Sequence, residues 1–176
     1  MKKLSVSIVA LALFCSASAF NSFPDDEITV APFFNVSTAK SVSAEKVDAV
    51  VTKAFSSKFV NAKDVSWREN AGFYFVDFLV NEKSFKAAYL NDGEFLAISR
   101  TVSMDILPMA VLESLSQEYA GYKLPAVVTE IAMQGSTNYY MWVQGKARNL
   151  QLKCSADGHI TIEKKTKKKI LVGSVR

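Results

Sequence analysis

Residues 73–80 read FYFVDFLV and residues 84–97 read SFKAAYLNDGEFLA, and this stretch decides the fold. Apolar residues recur at every second position, so alternate side chains would share one face of a β-strand. Asn91-Asp92-Gly93 favours a hairpin, because glycine adopts the positive φ that a tight turn requires. The stretch therefore predicts antiparallel strands joined by a tight turn.

A matching stretch follows 65 residues later, with NYYMWV at 138–143 and NLQLKCSADGHI at 149–160. The shift places Asp92-Gly93 on Asp157-Gly158 without a gap. The superimposed residues are Tyr74 and Tyr139, Val76 and Met141, Phe78 and Val143, Phe85 and Leu150, Ala87 and Leu152, Tyr89 and Cys154, Phe95 and Ile160, and Ala97 and Ile162. Because both sets keep the period of two, we expect them to share one face, beneath two helices.

An apolar stripe with a spacing of four residues precedes each set of strands and predicts a helix. The stripes are Val47, Val51, Phe55 and Phe59, and Leu107, Val111, Leu115 and Tyr119. The first helix is expected from about Ala44, capped by Ser43, and Pro108 suits the first turn of the second. The sequence thus predicts an α+β fold of two tandem repeats, about 43–102 and 105–164, each a helix plus four strands. Together the repeats are expected to form one antiparallel sheet with the helices on one face.

The two ends of the chain differ from its middle. Residues 1–19 start with two lysines, continue as an apolar run and end in Ala17-Ser18-Ala19, which predicts a cleavable secretory signal peptide. The run is too short to span a membrane, which takes about 20 apolar residues. Residues 20–42 are expected to form an irregular lead-in and residues 165–176 a basic tail. We therefore expect a periplasmic or secreted protein, without stable membrane insertion after cleavage.

Charge and cysteine content bear on several functions. Removal of the signal lowers the net charge from +4 to +2, and the remaining basic residues gather in the run Lys164–Lys169. A nucleic-acid-binding protein spreads positive charge over a face and interleaves it with aromatic residues, so we expect no nucleic-acid partner. Cys15 would leave with the signal, and Cys154, alone in an apolar strand, is expected to be a small buried hydrophobe.

No motif indicates a catalytic, cofactor or metal site. The chain has one histidine, His159, which nearly excludes two-histidine metal sites and the usual Ser-His-Asp arrangements. A turn explains Asp92 and Glu94, and the seven glycines mark turns rather than a phosphate-binding loop. Paired carboxylates that meet only in space leave an unrecognised hydrolase open. We expect a protein that is not an enzyme and that binds no cofactor or metal.

A second set of aromatic residues alternates against the core set. Phe73, Phe75, Tyr140 and Trp142 would lie on the face away from the helices, where side chains that are merely solvated would be polar. Aromatic clusters on such a face indicate an interaction site. We hypothesise that these four residues, with Trp67, bind a partner. Two alternatives stay open: the lead-in folds across this face, or the assignment of the two faces is inverted.

Several motifs together resemble a known family. They are Phe55 and Phe59, Ala62–Trp67, Tyr74–Phe78, Tyr89–Glu94, Leu107-Pro108 and Tyr119–Tyr122. Over about residues 43–164 the chain resembles the PepSY-like, β-lactamase-inhibitor-like (BLIP-like) exported domains, found chiefly in Bacteroidetes-type bacteria. The resemblance implies tandem repeats of a helix and an antiparallel sheet, with one sheet face available to a partner. It transfers no functional residue, because its motifs mark a fold rather than a site.

The expected function is that of an exported, non-enzymatic binding module for a protein or peptide, such as an inhibitor or partner of a secreted or periplasmic enzyme. An alternative is an envelope structural protein, or one that carries an apolar ligand between the sheet and the lead-in.

Overall fold

The computed structural model describes residues 39–167. The strands are β1 Lys40–Val42, β2 Lys63–Asn70, β3 Phe73–Val80, β4 Lys83–Leu90, β5 Phe95–Ser103, β6 Val127–Met133, β7 Ser136–Gln144, β8 Arg148–Ser155 and β9 Ile160–Lys167. The helices are α1 Ala49–Lys58 and α2 Met109–Glu118, preceded by 3₁₀ turns at Ala44–Lys46 and Met104–Ile106. The predicted signal at 1–19, and most of the predicted lead-in and basic tail, lie outside the described residues.

All nine strands form one antiparallel sheet in chain order, from β1 to β9. β5 and β6 flank α2 in sequence, yet they pair continuously from Ala97 with Met133 to Ser103 with Val127. The predicted α+β fold of two tandem helix-plus-four-stranded repeats is wrong, because the described residues form a single nine-stranded sheet that is not divided into two four-stranded units. Strands hold 53% of the described residues, and each helix has only ten. Two separate sheets would leave β5 and β6 as edges with unpaired backbone groups, and one continuous sheet removes both edges.

The first core, defined by its nine buried residues, lies between α1 and strands β2–β4. These residues are Val47, Val51, Phe55, Trp67, Tyr74, Val76, Phe78, Ala87 and Tyr89. The ring of Phe55 stands edge-on to Trp67 and to Phe78, at centroid distances of 5.3 and 5.1 Å. Such edge-to-face pairs add about 0.5–1.5 kcal/mol each beyond the apolar area that they bury. Phe55 therefore anchors α1 to the sheet.

The second core lies between α2 and strands β6–β8. Its buried residues are Val102, Leu107, Val111, Leu115, Tyr119, Val128, Tyr139, Met141, Val143, Leu150, Leu152 and Cys154. The hairpin below it has the register of the hairpin below the first core. Met141 pairs with Leu152 as Val76 pairs with Ala87. The four residues predicted to lie beneath the helices, Val76, Phe78, Met141 and Val143, are all buried in these cores.

The strand register places both cores on one face of the sheet, here called the helix face. Val76 pairs with Ala87, Ala87 with Ile98, and Ile98 with Ala132, so all four side chains point to this side. The prediction that Ala97 shares the face of Phe95 is wrong. Tyr89 pairs with Phe95 but Ala88 pairs with Ala97, so β5 contains an extra residue. This bulge turns Ala97 to the other side.

Two glycines hold the hairpin tips against the starts of the helices. Gly93 and Gly158 have φ values of +88° and +93°. A Cβ at Gly93 would lie 3.1 Å from the carbonyl oxygen of Val50 in α1, and a Cβ at Gly158 would lie 2.7 Å from that of Ala110 in α2. Both turns thus need glycine for its conformation and for its lack of a side chain.

We expect Gly158→Ala to lower the free energy of unfolding by about 2–5 kcal/mol. A left-handed conformation costs a non-glycine residue roughly 1–2 kcal/mol, and overpacking against Ala110 adds roughly 1–3 kcal/mol. The matched control is Gly135→Ala, whose φ is +78° but whose Cβ would meet nothing within 4 Å. Urea denaturation measures both variants, and equal losses would contradict the close contact with α2.

Candidate binding surface

The face opposite the helices carries an apolar cluster that crosses five strands. We call it the opposite-face cluster, and its buried residues are Phe75, Ala88, Leu96, Ala97, Ile131 and Tyr140. Phe73, Leu90 and Met133 pack against it at the margin. Phe75 and Tyr140 are each only 3% exposed, although both helices lie on the other side of the sheet. The opposite face is therefore not uniformly exposed to solvent.

The five residues predicted to bind a partner do not form one surface. Trp67 is 4% exposed and lies in the first core, on the helix face. Phe73, Phe75 and Tyr140 come together in and around the opposite-face cluster. Trp142 lies on the same face as Tyr140 but is 41% exposed. Whether these residues bind a partner stays a prediction.

Trp142 borders a shallow cleft near one end of the opposite face. The cleft is lined by Thr101, Pro125, Val127, Val128, Thr129, Tyr140, Met141, Trp142 and Gln151. Val127, at the start of β6, is 54% exposed. Two large apolar side chains thus meet water beside polar ones, a combination that is typical of interaction sites. The Trp142 cleft is the candidate site on this face.

Charged side chains surround the apolar part of the opposite face unevenly. Across β2–β4, the carboxylate of Asp77 accepts a hydrogen bond from Arg68 and lies 3.4 Å from the ammonium of Lys86. By strand pairing, Lys153 lies beside Tyr140 and Lys164 beside Gln151. The border of the Trp142 cleft on β8 and β9 is therefore basic.

Sequence reasoning missed the contributions of β5 and β6 to this face. Ile131 and Val127 lie there together with Thr129, because β6 pairs with β7 at Thr129 and Tyr140. The period of two in VVTEIAM, residues 127–133, was the available signal, but its phase becomes clear only through pairing with β7. Leu96 reaches the cluster through the bulge, which no local pattern marks.

The acidic residues in the two hairpin turns form hydrogen bonds within those turns. Asp157 accepts hydrogen bonds from the Ser155 hydroxyl at 2.5 Å and from the backbone N–H of His159 at 3.2 Å, and these bonds lower its carboxyl pKa. Asp92 accepts the N–H of Glu94 at 2.9 Å in the same way. Within residues 39–167, no three His, Cys, Asp or Glu side chains are grouped as metal ligands.

Comparison with known proteins gives relatives by structure alone. No protein-family profile and no curated protein matches the sequence. A DUF2874 family protein from Bacteroides uniformis has a TM-score of 0.58 at 21% identity, covering 68% of this chain and 88% of that one. A BLIP-like protein from Bacteroides fragilis has a TM-score of 0.57 at 20% identity, covering 68% and 86%. The likeness is one of fold.

A third solved structure, a proposed periplasmic protein from Bacteroides eggerthii, has a TM-score of 0.58 at 16% identity and covers 68% of this chain and 87% of that one. The fold is thus known in several Bacteroides proteins, among them one described as BLIP-like. Within residues 39–167, neither helix has the length and apolar composition needed to cross a bilayer.

Cys154 is fully buried in the second core, where it pairs with Tyr139. Burial, together with the negative charge of Glu118, raises the pKa of its thiol from 9.0 to about 11. The thiolate is the nucleophilic form, and at pH 8 it is a very small fraction. Because the pKa of the thiol is higher in the folded state than in the unfolded state, burying the neutral thiol favours folding at low pH. This contribution to the free energy of unfolding is complete below about pH 9 and is lost as pH rises through 11.

We expect the Cys154 thiol to be unreactive towards Ellman's reagent at pH 8 until the protein is unfolded in urea. Lys153→Cys is the matched control, because this neighbouring, partly exposed residue points to the other face and its thiol should react at once. Cys154→Ala should reduce the loss of melting temperature between pH 9 and 11. Rapid labelling of Cys154 in the folded protein would show that the second core opens.

Proposed function

We propose that this chain is an exported, non-enzymatic binding module that docks a protein or peptide at the Trp142 cleft. The observation that carries the proposal is the exposure of Trp142 and Val127 on a strand face. Tryptophan is prominent among the residues that dominate binding energy at protein interfaces. The basic border formed by Lys153 and Lys164 favours a docking segment that is apolar and flanked by acidic residues.

The similarity in fold supports the finer parts of the proposal. One structural relative is described as BLIP-like and another as a proposed periplasmic protein. We therefore include in the proposal membership of the PepSY-like, β-lactamase-inhibitor-like family, export through the signal at 1–19, and a secreted or periplasmic enzyme as the partner.

The proposal predicts that Trp142→Ala weakens the binding of a partner about 30-fold. Truncation of an interface tryptophan costs about 2 kcal/mol or more, and 1.4 kcal/mol corresponds to a factor of ten. The stability of the variant should change by about 1 kcal/mol or less, because the indole already meets water. Partners are recovered on immobilised protein from periplasmic extracts, and their affinities for both forms are then measured by calorimetry.

Val60→Ser is the matched control, because Val60 is an exposed valine outside the Trp142 cleft. It should bind as the unmodified protein does. Equal affinity of Trp142→Ala and the unmodified protein would place the docking surface elsewhere. The inhibitor role is abandoned if no partner is recovered and a panel of secreted peptidases and β-lactamases keeps full activity. Lipid that co-purifies with the protein would favour the apolar-ligand carrier instead.

A further inference from the structure

The opposite-face cluster is buried more deeply than its position in the sheet explains. Trp142 and Val127 show what this face looks like when only neighbouring strands cover it, since both are about half exposed. Phe75, Ile131 and Tyr140 stand on the same face and are almost fully buried. Within residues 39–167 both helices pack on the helix face, so no described helix accounts for the difference.

The first described residue indicates where the cover comes from. Ala39 is partly buried and packs against the opposite-face cluster, directly before β1 pairs with β2. The chain therefore enters the described part of the fold at this cluster. The preceding segment, residues 20–38, contains the aromatic residues Phe20, Phe23, Phe33 and Phe34. It has the apolar side chains that a cover requires.

The length of this segment is sufficient. From β1 to Tyr140 on β7 there are six strand spacings of about 4.8 Å, or about 29 Å. An extended chain advances about 3.3 Å per residue, so about nine residues cross this distance. The 19 residues from 20 to 38 are therefore enough to cover the cluster.

We propose that residues 20–38 lie across the opposite-face cluster as a strap that belongs to the same chain. A tethered segment competes at an effective concentration on the order of millimolar, which favours it over a second copy or a free partner. The strap covers Phe75, Ile131 and Tyr140 and leaves Trp142 and Val127 accessible. This inference does not depend on the function proposed for the cleft.

The test uses a thiol reporter at Ala88→Cys, in the centre of the cluster, in the chain from residue 20 onward. The reporter should be protected from a maleimide reagent. In the background Phe33→Ser with Phe34→Ser, labelling should become at least ten times faster, because the strap loses the apolar groups that hold it. The native Cys154 thiol, which is fully buried in the second core, should stay unlabelled in the same background and so shows that the fold is intact.

Two further backgrounds separate the strap from a general loss of stability. Phe33→Leu with Phe34→Leu keeps the apolar character and should keep the protection. Asp25→Ser with Asp26→Ser changes the segment at polar positions and should also keep it. Fast labelling of Ala88→Cys in the otherwise unchanged chain, or an unchanged rate after the serine substitutions, would overturn the proposal. Protection that falls on dilution would overturn it as well, because a second copy would then be the cover.

Discussion

The pairing of β5 with β6 is the interaction on which the other features depend. It joins the hairpin beneath α1 to the hairpin beneath α2 through seven residue pairs, from Ala97–Met133 to Ser103–Val127. Because side chains alternate across this junction without interruption, both helices are on one face. The same junction brings Ala97 and Ile131 together on the other face, so that the opposite-face cluster is continuous from Phe75 to Tyr140.

Features coded by neighbouring residues could be predicted from the sequence. Asp92-Gly93 and Asp157-Gly158 determine the turns locally, and the turns in both hairpins have the same backbone bonds, such as Gly93 N–H to Leu90 and Gly158 N–H to Ser155. Features that depend on pairing between strands distant in sequence could not be predicted in this way. The residue pairs that join β5 to β6, the bulge at Leu96 and the side on which Trp67 lies are each decided by a partner strand.

In the candidate site, too, the sequence pattern does not determine which residues are buried. Tyr140 and Trp142 are two positions apart in β7, so the alternation of side chains predicts the same face for both. One is nearly buried and the other is 41% exposed, because what lies over a strand is set by segments far away in sequence. Alternation could therefore group these residues on one face, but it could not separate those that pack within the molecule from the one that meets water.

The charge of the last strand affects self-association of the protein at high concentration. β9 is the outer strand of the described sheet, and Lys164, Lys165 and Lys167 lie along it. If two molecules aligned these margins, three ammonium groups from each strand would crowd together with only Glu163 of the same strand to offset them, and the positive charges would repel each other. The lysines of β9 thus oppose edge-to-edge pairing of two molecules, and this effect needs no bound ligand.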